Sequence, residues 1–226
     1  ALLNNFLHVR HQLEQLPNSE AYIKRLNALI QRESTDDPKL FGQSILRTEE
    51  AILGDAEIQQ RMQEASQQQR ALYQAELHPT LKLIQERFPT KQKNHAEKIQ
   101  QLYEQAFTLP NLFDRLAELR KIETENAFKW DSVFAPVLKG LSKQAEKYKT
   151  QAPDETRGNF DALQRDLEEL QGKMRPSPDG SGEPWPLSMY TTKIVELSGI
   201  LKQNMQYAEK VKVDIQHGIE RVMKQA

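Results

Sequence analysis

The 226-residue chain carries 31 Lys and Arg against 32 Asp and Glu, a formal net charge of −1, so it lacks the global basic excess of dedicated nucleic-acid binders. Apolar residues make up 38% and charged residues 28%, against roughly 45–50% apolar in ordinary globular domains. A thick core is thereby excluded, the absence of cysteine excludes disulfides and thiolate chemistry, and no run of about 18 apolar residues exists to span a membrane.

Only 9 glycines interrupt a surplus of Ala, Leu, Glu, Gln, Lys and Arg, so the local preference is helical throughout. Large apolar residues recur periodically, which disordered chains lack. The first residue is Ala1 and not Met, which reads as a processed product or an excised fragment.

Leu2, Phe6, Val9, Leu13 and Leu16 alternate steps of four and three, the heptad spacing that keeps one seam facing a partner helix. Pro17 ends or bends that helix, and Asn18 or Ser19 caps a second one carrying Tyr22, Ile23, Leu26, Leu29 and Ile30. A turn follows at 34–38, with Pro38 suited to a first helical position. One long helix is expected from Lys39 to about Phe88, with Phe41, Ile45, Ile52, Ile58, Met62, Ala65, Leu72, Leu77, Leu81, Ile84 and Phe88 as its apolar positions. Its polar middle predicts a segment standing away from the body, with bends at Gly54 and Pro79.

A corner at 89–94 around Pro89 leads to Ile99, Leu102, Tyr103, Ala106 and Phe107, then past Pro110 to Leu112, Leu116, Leu119 and Ile122. Trp130, Phe134, Val137 and Leu141 continue as a seam in which Pro136 predicts a kink or restart. After a turn at 150–158 come Phe160, Leu163, Leu167, Leu170 and Met174. The segment 175–188 holds prolines and glycines that no helix tolerates, so it reads as a flexible tip or hinge. Within it Trp185 either anchors the loop on the bundle or offers a contact to a partner.

The last helix, Tyr190 to about Lys224, has the most sustained heptad run: Tyr190, Ile194, Leu197, Leu201, Asn204, Ala208, Val211, Ile215, Gly218 and Val222. Asn204 on that seam either selects register and partner number or bonds local backbone.

Chemistry is sparse. His8, His11 and Glu14 share a helix face, yet no Glu-x-x-His arrangement or fourth ligand accompanies them, so they read as solvated and no metal is expected. Acidic clusters sit among Lys, Arg and Gln at helical spacing, as solvated faces do. No nucleophile elbow, phosphate loop or dinucleotide fingerprint occurs, and neither catalysis nor a cofactor is expected. Lys139, Lys143 and Lys147 form a stripe interrupted by Glu146, with Lys129 upstream, Lys149 nearby and further lysines at 91–98. The stripe is a solvated face, a protein-binding face, or a surface for anionic lipid or a nucleic-acid backbone.

The sequence therefore predicts an all-α single domain, an elongated antiparallel helical bundle or coiled-coil rod with long kinked helices and sub-bundles 1–88 and 89–226. The expected function is a non-enzymatic interaction module whose seam another chain completes, through Leu201, Asn204, Ala208, Val211 and Ile215, with Trp185 as a further contact. The alternatives are a membrane-surface module using Lys139, Lys143 and Lys147, and an exported component of a secretion or adhesion apparatus. A cytoplasmic location is the default expectation.

Overall fold

The computed structural model describes residues 2–126, 129–173 and 186–226, and among these the chain is all-α with no strand. In order come α1 (Leu2–Glu14), α2 (Glu20–Glu33), a 3-10 turn (Pro38–Leu40), α3 (Phe41–Gly54), α4 (Ala56–Leu72), a π-helical turn (Tyr73–Leu77) and α5 (His78–Arg87). Then follow α6 (Thr90–Phe107), α7 (Leu112–Asn126), α8 (Lys129–Gln151), α9 (Asp154–Lys173) and α10 (Leu187–Gln225). The chain divides into two compact units, Ala1–Lys82 with Asn94–Ala127, and Leu83–Lys93 with Phe128–Ala226. This corrects the expected division at 88/89: α7 belongs to the first unit because Phe113, Leu116 and Ala117 complete the core that α1 begins.

In the first unit α1 buries Phe6, Val9 and Leu13, and Leu16 is buried just beyond its end, as the spacing predicts. The turn after it places Asn18 at φ 57°, a left-handed conformation that asparagine tolerates. The buried Tyr22 hydroxyl lies 3.1 Å from Leu13 O and 3.4 Å from Leu16 O, giving the carbonyl end of α1 a donor it would otherwise lack.

The single helix expected over 39–88 is corrected at two points. At the first, α3 ends at Gly54 and Asp55 caps α4, its carboxylate accepting from Ile58 N at 3.2 Å and pairing with Arg25 Nε at 2.6 Å. At the second, Pro79 has no N–H to offer the carbonyl four residues back, and the preceding turn widens, with His78 N donating to Tyr73 O. Tyr73 is buried there, while Leu72 and Phe41, expected on the seam, are exposed. Nor does α4 stand away: its stripe of Ile58, Met62 and Ala65 is buried against α1, α2, α3 and α7.

The second unit is built on α8, α9 and α10. The expected corner at 89–94 and turn at 150–158 shrink to residues 88–89 and 152–153, because α6 starts at Thr90 and α9 at Asp154. Lys149 pairs with Asp161 at 2.7 Å and Gln164 Nε2 donates to Glu146 at 2.8 Å, fixing α8 and α9 antiparallel. Asn204 Nδ2 donates to Asn159 O at 3.3 Å and the Tyr190 hydroxyl donates to Lys173 O, so α10 is antiparallel to α9 and parallel to α8.

The seam expected on α8 is rotated. Val133, Phe134, Leu138 and Ala145 are buried, while Val137 and Leu141 are only half-buried, because α8 meets both α9 and α10 and needs a wider stripe than one partner requires. Of the kink or restart expected at Pro136, the restart is absent: α8 runs through it. Gln92, 2% exposed, donates from Nε2 to Val133 O at 2.8 Å, supplying a side-chain donor in the turn the proline disrupts. Met174 and Trp185 lie outside the described residues.

Candidate interaction surface

The heptad run of α10 meets two different fates. Its first half closes within the second unit: Ile194, Leu197 and Leu201 are buried, Asn204 bonds the α9 backbone, and Ala208 is 7% exposed beside the α8–α9 turn. Leu201, Asn204 and Ala208, expected at an intermolecular seam, are thus corrected to intramolecular packing, because α9 reaches them. Beyond Ala208 no residue of α10 is buried. Val211 is half-buried, Ile215 is 44% exposed, Ile219 56% and Val222 67%, on about 25 Å of helix at 1.5 Å per residue.

The same four-three spacing continues across this boundary, so the exposed half presents the kind of stripe the first half buries. Ile219 and Met223, also exposed, widen it. Sequence reasoning passed over these two because they fall one position off the strict seam. It placed the start of the open seam too early because heptad spacing is the same whichever chain covers it.

A second concave surface lies between α8 and α10, a groove of about 730 Å³. Val137, Leu141, Ile194 and Phe88 give it apolar walls, and Gly140 and Gly199 keep it open, since a Cβ added at either would meet nothing within 4 Å. Arg87, Lys91 and Lys202 stand on it with no carboxylate among its lining residues. The buried Gln92 Oε1 has no hydrogen-bond partner. No periodicity could have revealed this groove, whose residues come from three separate segments.

Lys139, Lys143 and Lys147 are all exposed on α8, as a stripe. Lys139 and Lys143 border a cavity that also carries Asp131 and Glu168, and Lys149 is engaged with Asp161. Neighbouring carboxylates dilute the positive field that binding to anionic lipid would draw on.

In the first unit His8 and His11 are half-buried rather than fully solvated. Burial, with the nearby Arg120 guanidinium, holds both imidazoles below their ordinary value. Glu14 turns to Arg10 at 3.5 Å, and among the described residues no cluster of His, Asp or Glu is arranged to hold a metal. Tyr73 stacks on Tyr103 with centroids 5.1 Å apart, and burial pushes its phenol up to about 12. Burial raises Tyr103 as well, so both phenols stay protonated at neutral pH and serve as packing groups.

No helix among the described residues is long and apolar enough to cross a membrane. Comparison with known protein families, with curated proteins and with solved structures finds no match to this chain.

Proposed function

We propose that this protein is a non-enzymatic assembly module that acts through the distal half of α10. One observation carries this reading: the heptad seam that holds α10 against α9 as far as Ala208 continues through Val211, Ile215 and Val222 with none of the described residues covering it. An apolar helix face left in water gains by docking against another helix. Helices shorter than about 12–15 residues are marginal in isolation, and this extension gains order from being continuous with the packed part of α10. The α8–α9 pair then serves as the folded support from which the docking helix is presented.

Photo-crosslinking in cells tests the reading. A crosslinking residue at Ile219 or Val222 is expected to trap one defined protein, and one at Gln216 or Glu220, off the seam, is expected to trap none. Ile215→Asp should abolish the product. Equal crosslinking from both faces, or none from the seam, overturns the proposal.

A further inference from the structure

We infer that the occupant of the exposed α10 seam is a second copy of the same helix, paired antiparallel about a point between Gln216 and His217. The inference rests on the assembly reading above and goes further by naming the partner and its register.

Heptad positions follow from the packed half of the helix. If Leu201 and Ala208 are a positions, then Val211 and Gly218 are d, Ile215 and Val222 are a, Asp214 and Arg221 are g, and Lys212 and Ile219 are e. In an antiparallel pair a faces d, so Val211 meets Val222 of the partner subunit. Ile215 likewise meets Gly218 of the partner subunit. A large side chain thereby falls opposite a residue whose Cβ position is open on every side.

Flanking g residues face g residues in this arrangement, which sets Asp214 against Arg221 of the partner subunit, twice by symmetry. Both residues are exposed. Sliding the partner by one heptad in one direction opposes Asp214 to Asp214 of the partner subunit and brings Val222 of the partner subunit onto Asn204, already bonded to α9. Sliding it the other way opposes the two Arg221 side chains. One register alone therefore pairs unlike charges and leaves the packed half of α10 undisturbed.

Parallel pairing fares worse. It sets Gly218 against Gly218 of the partner subunit, leaving a gap in the middle of the seam, and directs Asp214 at the apolar Ile219 of the partner subunit instead of at a cation. A heterologous helix would have to reproduce both the charge order and the place for Ile215 that the chain already carries in itself.

The contact covers fewer than the roughly three to four heptads of a sustained coiled coil, so the dimer is weak and the measurement must reach concentrations on the order of 1 mM. Sedimentation equilibrium of the full chain is expected to show a monomer–dimer equilibrium. Asp214→Arg and Arg221→Asp should each weaken dimerisation roughly tenfold, since each replaces two attractive pairs by two repulsive ones. The double variant restores opposite charges and should return to within about threefold of the parent. Circular dichroism of every variant checks that the fold is retained.

A double variant as weak as either single one, or single variants that dimerise like the parent, overturns the antiparallel register. A parent that stays monomeric throughout overturns self-pairing. If that monomer still crosslinks from Val222 to a different protein, the assembly reading survives alone, whereas no crosslink removes both.

Discussion

Leu201 and Ile215 occupy equivalent heptad positions two turns of the repeat apart, and truncating each to alanine separates the two halves of α10. Leu201 is 2% exposed in the core of the second unit, so Leu201→Ala removes buried methyl groups and leaves a void, at about 3 kcal/mol within the usual range of about 2–5. That lowers the midpoint of thermal unfolding by roughly 10 °C. Ile215 is 44% exposed with no helix among the described residues covering it, so Ile215→Ala should lie within about 0.5 kcal/mol of the parent. The better helix propensity of alanine even shifts it slightly toward stability, by about 0.4 kcal/mol. Urea unfolding in dilute solution, followed by tryptophan fluorescence, to which Trp130, stacked on Phe134 in the same unit, contributes, measures both. Equal losses would show that the chain itself covers the distal seam, and a neutral Leu201→Ala would show that α10 is not docked at all; either result refutes the reasoning.

At the α3–α4 junction, Asp55→Ala should cost about 1 kcal/mol of stability through the lost N-cap, whereas Asp55→Asn, which caps equally well, should keep most of it by urea denaturation. Burial pushes the Asp55 carboxyl up, but the bonds from Arg25 and the α4 amides outweigh it and leave it below 3.8, so the advantage of Asp over Asn is present above that pH and fades as the solution is acidified through the folded value. His8 and His11 titrate below 6.5 in the folded chain, so the unfolded chain takes up protons first and stability falls as pH drops below 6.5. The double variant His8→Gln, His11→Gln should flatten that fall in melts between pH 7 and about 5. Gln92→Ala should cost about 1 kcal/mol by the same fluorescence-detected urea unfolding, since it removes a buried side-chain hydrogen bond to the Val133 carbonyl.

Much of the fold is legible in spacing alone. The α1 seam and the apolar positions of α9 are buried as their heptads predict, and Gly54 and Pro79 do mark irregularities. What spacing cannot convey is how many neighbours a helix has. On α8 two neighbours turn the buried stripe toward Val133 and Leu138, and on α4 a polar-looking sequence hides Ile58, Met62 and Ala65 among four other helices. Buried glutamines such as Gln12 and Gln92 are equally invisible, because their placement depends on carbonyls about 100 and 40 residues away in sequence. At the candidate surface the heptad register itself was legible. The point at which the chain stops covering it was not, since that depends on where the α8–α9 turn falls.

Hydrogen exchange along α10 tests the central claim most directly. In dilute solution the amides of residues 211–225 should exchange orders of magnitude faster than those of residues 194–208, and should slow progressively as protein concentration is raised. Equal protection of the two halves at every dilution would mean that the chain covers its own seam, and would contradict the account.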